Sequence, residues 1–236
     1  MSAFKSITFL DLSLNLISFI PAIFLRHNSR LLHLNLSHNN ISAVEAIAFA
    51  YLIRLVSIDL SHNRLEYLNQ SAFGQNILLP DLRHLLLNDN RLVSLDPLYL
   101  PGSLDSLLLH RNLLSDGLPR CVANNVQSAG VLTLSGNRME TLRPIDFQFT
   151  NQVIELQLSD MALDEIEEGT LDALKPLLVL DLSQNRLRST HLPESTFWGL
   201  ARLETLNLSH NLLGFVAGGL LRQARFLRIL DLRNNS

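Results

Sequence analysis

Between Leu55 and Leu65 the chain reads Leu-Val-Ser-Ile-Asp-Leu-Ser-His-Asn-Arg-Leu. Apolar residues stand at positions one, four, six and eleven of this stretch, and an asparagine at position nine. The pattern returns along the whole chain, with starts at Ile7, Leu31, Leu55, Leu82, Leu104, Ala129, Val153, Leu177, Leu203 and Leu227. Successive starts lie 24, 24, 27, 22, 25, 24, 24, 26 and 24 residues apart, which gives nine full repeats and a tenth ending at Ser236. A period of this length predicts a solenoid spanning 1–236 as a single domain, each repeat burying its apolar face against its neighbours.

Positions three to seven alternate, as a β-strand does, so residues four and six point into the core while three, five and seven point out. Leu34 with Leu36, Ile58 with Leu60, and Leu206 with Leu208 are core pairs on this reading. Strands of successive repeats would pair in parallel, roughly 4.8 Å apart. At position nine the chain leaves the sheet, and an asparagine amide can satisfy the backbone groups that the turn exposes. Stacking would align Asn15, Asn39, Asn63, Asn90, Asn112, Asn137, Asn185, Asn211 and Asn235 in one buried ladder.

The return half of each repeat carries its own apolar marks. Position fourteen holds Ile20, Val44, Leu68, Leu95, Leu142, Ile166 and Val216. A bulky spine near position nineteen holds Leu25, Phe49, Phe73, Val122, Phe147, Leu171, Phe197 and Leu221. Irregular chain and short helical turns are expected there, Ala43 to Tyr51 among them. Three irregularities interrupt the pattern. There is an insertion around Gln75 to Pro80, and Gly117 to Val122 replaces a phenylalanine turn. Met161 stands where the ladder expects asparagine. Methionine fills the space but supplies no amide, so a local gap bridged by water or backbone is expected.

Composition narrows the classes. A net charge of −3 without long runs of one sign argues against a nucleic-acid partner. Cys121 is the only cysteine, which excludes an internal disulfide and a cysteine zinc cluster. The apolar stretch Leu10 to Leu25 contains Asp11, Asn15 and Pro21, so no membrane span is expected in this chain.

Leu34-Asn35-Leu36-Ser37-His38-Asn39 and Leu206-Asn207-Leu208-Ser209-His210-Asn211 resemble the repeats of extracellular leucine-rich repeat proteins such as Toll-like receptors and chaoptin-like adhesion proteins. The resemblance runs from Ile7 to Asn235, and the 24-residue length with a spine phenylalanine resembles the typical extracellular animal type. It implies an α/β repeat fold, a right-handed leucine-rich repeat solenoid or horseshoe. Such a fold has a parallel concave β-sheet and a mostly irregular or short-helical convex side. It also implies a non-catalytic binding module of a receptor or adhesion ectodomain, with a protein or glycan ligand on the concave face and receptor dimerisation as a further expectation. The family's usual cysteine caps and signal peptide find no match here. Leu10, Leu12, Leu230 and Leu232 would face solvent at the two ends, so both ends are expected to be uncapped and the chain a fragment of a larger ectodomain. The competing expectations are a cytosolic scaffold or adaptor, and a subunit of an enzyme whose catalytic domain lies elsewhere.

Most repeats present a uniform outward face, with Asp or Asn at position five and Ser at seven. The fourth and fifth depart from it. They present Arg83, His84, Leu86, Asn88 and Asp89, then Asp105, Leu108, His110 and Arg111, an apolar pair ringed by charge that suits a protein interface. Ordinary variation at surface positions is the plainer reading of the same residues. His38, His62 and His210 all stand at position eight, which makes them a feature of the repeat. No converging ligand set suggests a metal or other cofactor, and a pH-sensitive role for His33, His38, His62 and His84 stays open. Asn-x-Ser sequons at Asn35, Asn40, Asn69 and Asn207 would carry glycans in a secreted chain. No catalytic residue is expected: Arg120 is weak support for an activated Cys121 thiol, and the other carboxylates and hydroxyls recur with the repeat.

Overall fold

The computed structural model describes residues 5–69, 71–74, 79–95, 104–115, 129–148 and 150–236. Ten strands of three residues form one parallel sheet. They are β1 (Phe9–Asp11), β3 (His33–Asn35), β5 (Ser57–Asp59), β6 (His84–Leu86), β7 (Ser106–Leu108), β8 (Val131–Thr133), β10 (Glu155–Gln157), β12 (Val179–Asp181), β13 (Thr205–Asn207) and β14 (Ile229–Asp231). Each begins two residues past one of the ten starts. The register joins equivalent positions, so Leu34 lies beside Ile58, Ile58 beside Leu85, and Leu180 beside Leu206. Equivalent positions of successive repeats thus stack like on like, the arrangement of a leucine-rich repeat solenoid.

The core runs the length of the stack. Leucines at positions one, four, six and eleven are almost wholly buried from the second repeat to the ninth. On the return side Phe49, Phe73, Phe147 and Phe197 are sealed from solvent, and the Phe49 and Phe73 rings tilt against each other at 5.7 Å. Val122, Cys121, the Gln75–Leu78 part of the insertion and 117–120 lie outside the described residues. The convex side is almost free of helix. Ala43 to Tyr51 holds a short strand and turns rather than a helical turn. Among the described residues the one α-helix, α1 (Pro144–Phe147), is four residues long. The Arg143 N–H at its start donates to Asp146 at 2.7 Å. Two minor sheets, β2 (Phe19–Ile20) with β4 (Ala43–Val44) and β9 (Thr141–Leu142) with β11 (Glu165–Ile166), tie neighbouring return segments.

The asparagines form a hydrogen-bonded ladder. Asn63 Nδ2 donates to Leu60 O at 3.1 Å, to Ser61 O at 3.0 Å and across the step to Leu36 O at 3.0 Å. Its Oδ1 accepts the Ile41 N–H at 3.0 Å. Asn39, Asn90, Asn112, Asn137, Asn185 and Asn211 repeat this scheme and are buried. Asn15, in the first repeat, is exposed and Asn235, in the tenth, is half-buried. Val216 at position fourteen of the ninth repeat is exposed.

The seventh repeat departs from the expected gap. Asn185 Oδ1 accepts two N–H groups, from Met161 at 3.0 Å and Leu163 at 3.1 Å. The Met139 N–H, which an asparagine at 161 would have received, donates to the Met161 carbonyl at 3.1 Å. The next amide in the ladder and one backbone bond therefore close the turn together. Ala162 takes a left-handed φ of 58°, which no other residue at position ten does among those described.

Candidate functional site

The site follows from how each strand ends. At position eight the chain takes a left-handed conformation in all ten repeats: Leu14, His38, His62, Asp89, Arg111, Gly136, Asp160, Gln184, His210 and Asn234. Such a φ is unfavourable for residues with a Cβ and persists only where the surroundings impose it. Here the position-eight N–H donates to the position-seven carbonyl of the next repeat, as in His62 to Asn88 and Arg111 to Ser135. The side chains at position eight consequently form one row along the sheet. In that row the His38 and His62 rings stack at 4.1 Å and 9°.

Position five has a structural duty in six repeats. Asp11, Asn35, Asp59, Asp181, Asn207 and Asp231 each accept the N–H of the residue two places on, at 2.8–3.0 Å. This is the turn that asparagine and aspartate make with their own backbone. It leaves its mark on charge. The hydrogen bonds of Ser13 hold Asp11 below the ordinary carboxylate range. The Arg233 side chain and N–H hold Asp231 at about 2.

Four consecutive repeats give up this duty, with Leu86, Leu108, Thr133 and Gln157 at position five. Leu86 and Leu108 are register partners and half-buried. Beside them Asp89 gathers the surrounding polar groups. Its Oδ2 accepts Asn88 Nδ2 at 2.8 Å and lies 3.6 Å from His62 Nε2 and 3.8 Å from His110 Nε2. Its Oδ1 lies 3.5 Å from the Arg111 guanidinium. Burial alone would raise the Asp89 carboxyl. The Asn88 hydrogen bond and the His62, Arg111 and His110 charges outweigh it, so the group sits below its ordinary value. Burial pushes His110 down, against the opposing pull of Asp89.

Of the residues singled out in the sequence, Leu86, Asp89, Leu108, His110 and Arg111 come together. His84 sits on the adjacent row, with Nδ1 2.9 Å from Ser106 Oγ. Arg83 and Asp105 are exposed at position two, where the chain enters the sheet. Asn88 must be corrected: it is buried, like Ser37, Ser61, Ser183 and Ser209. Position seven is thus buried in these five repeats and half-buried at His110, Ser135 and Ser159, and the Asn88 amide donates to Asp89. Sequence reasoning missed the continuation of the site. A polar basin of about 370 Å³ adjoins the hub, lined by His110, Arg111, Thr133, Ser135, Gln157 and Ser159 among others. The loss of Asp or Asn at position five in four successive repeats was the legible signal. Among the described residues no group of three or more His, Cys, Asp or Glu residues could hold a metal ion, and no helix is long and apolar enough to cross a membrane.

The leucine rich repeat family model matches residues 5–65, 151–213 and 188–236, together more than half the chain. The chain belongs to the leucine-rich repeat family. Residues 66–150, between the matches, contain most of the site just described. Mouse podocan is 36% identical over 57% of this chain and 21% of its own length. The mouse transforming growth factor beta activator LRRC32 is 38% identical over 67% of this chain and 25% of its own. Feline Toll-like receptor 9 is 35% identical over 59% of this chain and 15% of its own. The matches thus span a quarter or less of these relatives, which are extracellular leucine-rich repeat proteins. Among solved structures, the TLR13 chain of a TLR13–ssRNA13 complex superposes with a TM-score of 0.86 at 26% identity. That match covers 95% of this chain and 32% of the other. The Drosophila Toll of a Toll–Spatzle complex gives 0.81 at 25%, covering 98% and 32%. These families are binding modules, and no catalytic family is indicated.

Proposed function

We propose that this chain is the ligand-binding part of an extracellular receptor or adhesion ectodomain, and that it docks a protein on its concave face at the fourth to seventh repeats. The observation that carries the reading is the run of four repeats whose position-five residue is released from capping the turn. A position freed of structural duty there carries leucine, threonine or glutamine. The result is an apolar centre at Leu86 and Leu108, flanked by the Asp89 hub and the polar basin. An apolar centre inside a polar rim with an arginine is the anatomy of a protein interface. Nucleic acid fits less well, because Asp59, Asp105, Glu155, Asp160 and Asp181 outnumber Arg83 and Arg111 along this face and would repel phosphates.

Secreted and cell-surface protein ectodomains are the probes for a test. A bound partner should slow amide exchange across 84–89, 106–111, 131–136 and 155–160. Slowing confined to the convex side would overturn the proposed face. A cytosolic adaptor is the alternative; it is favoured if the protein, expressed from its own gene, stays in the cytosol without glycan. A concentration-dependent mass of the chain alone would identify a second copy as the partner.

A further inference from the structure

We infer that Asn69 is an N-glycosylation site whose first sugar packs on the exposed ring of Tyr67. The inference rests on the extracellular reading above. Chemically, the Asn69 Nδ2 would bond to C1 of an oligosaccharide carried on a lipid-linked pyrophosphate. The C1–O bond to the pyrophosphate breaks, and the amide gives up one proton. The acceptor sequence is Asn69-Gln70-Ser71.

The four sequons differ in what the fold does with the amide. Asn35 and Asn207 lie on strands of the main sheet, half-buried between neighbouring strands. Each Oδ1 accepts both the N–H and the hydroxyl of the serine two places on, and those serines are buried. Asn40 is half-buried next to Ile41, which is sealed in the core. Asn69 is exposed on the return side, away from the main sheet. Its Oδ1 accepts the Ser71 N–H at 2.9 Å and its carbonyl accepts the Ala72 N–H at 2.9 Å. The turn is therefore held through the oxygens, and among the described residues Nδ2 makes no hydrogen bond. Ser71 is buried once the chain has folded, which places the transfer on the unfolded chain and leaves the fold to accommodate the product.

The surroundings suit a sugar. Tyr67, two residues before the acceptor, is 63% exposed. With Ser42, Val44, Arg64, Glu66 and Asn69 it borders an open basin of about 420 Å³, within the range of about 300–1,000 Å³ seen for small-molecule sites. An aromatic ring offers an apolar face for the C–H face of a pyranose, and a polar tip beside it. The Arg64 and Glu66 head groups, both exposed, are placed to meet the hydroxyls.

The test uses the full chain in two settings: expressed from its own gene in its own cells, and led into the secretory path by a fused signal peptide. A glycosidase-sensitive mass shift at Asn69 in both settings, lost in Asn69→Gln and in Ser71→Ala, is the expected result. Deglycosylation should also lower the melting temperature of the wild type, and this shift should vanish in Tyr67→Ala while the site stays occupied. An unmodified Asn69 in a chain that has entered the secretory path overturns the inference and leaves the extracellular reading standing. Cytosolic retention of the product of its own gene, without glycan, overturns both. An unchanged deglycosylation shift in Tyr67→Ala removes the ring from the account.

Discussion

Replacing Asn185 by alanine should cost more than the same change at Asn63, and the difference follows from the ladder. When Asn63 is lost, Leu36 O keeps Asn39 Nδ2 at 3.1 Å, Leu60 O keeps Asn90 Nδ2 at 2.9 Å, and Ser61 O keeps the His38 N–H at 3.1 Å. The buried Ile41 N–H loses its Asn63 acceptor, and one stranded donor costs about 1–3 kcal/mol. Asn185 instead accepts both the Met161 and Leu163 N–H groups. It also serves Leu158 O at 2.8 Å, where Met161 provides no second amide. Two donors and one carbonyl lose this partner together, so Asn185→Ala should cost about 3–9 kcal/mol on the same scale. Urea unfolding of both variants, with amide exchange read at Ile41 and Leu163, measures the two costs. A solenoid couples mainly to its neighbours, so the damage should centre on the second to fourth repeats in one case and the seventh to ninth in the other. Equal costs, or a shift near zero in either, would refute the ladder reasoning.

Other consequences are measurable in the same way. Phe49→Ala removes a fully buried ring from the spine and should cost about 3–5 kcal/mol in a denaturant titration, against about 1 kcal/mol or less for an exposed site such as Tyr51. Gly136 has a φ of 71°, and a Cβ there would lie 3.0 Å from Arg111 Cγ. Gly136→Ala should therefore cost about 1–2 kcal/mol and move Arg111 away from Asp89, visible as altered exchange at the hub. On acidification His110, held below its ordinary value, takes its proton in the unfolded chain first. Its stabilisation is full above pH about 6.5 and is lost as pH falls through the lower folded value. Asp89, Asp11 and Asp231 are also depressed, and their contribution is lost below pH about 4. Unfolding midpoints should fall from pH 7.5 to 5.5, and His110→Asn should flatten that fall. An unchanged slope would remove His110 from the explanation.

The repeat starts, the core leucines, the asparagine ladder and the phenylalanine spine were all legible in the sequence, because stacking demands the same residue at the same position every time. Three features were hidden. Position seven alternates with the strand on paper, yet Asn88, Ser37, Ser61, Ser183 and Ser209 are buried there. The turn at Met161 is closed by an amide 24 residues away, a contact that only the register between repeats creates. The residues at position eight carried a visible clue in Gly136 and in the Asp89, Asn234 and histidine positions, residue types tolerant of positive φ. Leu14 and Arg111 obscured that clue. The site was half legible. Leu86 and Leu108 broke the pattern visibly, but the convergence of His62, His110 and Arg111 on Asp89 depends on side chains from three repeats meeting across two steps of the sheet.

The central claim is that the apolar centre on the concave face makes the partner contact, and it can be tested without disturbing the fold. Leu86→Asp with Leu108→Asp installs the residue that caps the turn in four other repeats, so stability should hold or rise. Binding of a partner ectodomain to the wild type and to this double variant should then be titrated side by side. Loss of binding by tenfold or more, about 1.4 kcal/mol, with an unchanged or higher unfolding midpoint, is the predicted result. Undiminished affinity in a folded double variant would contradict the account.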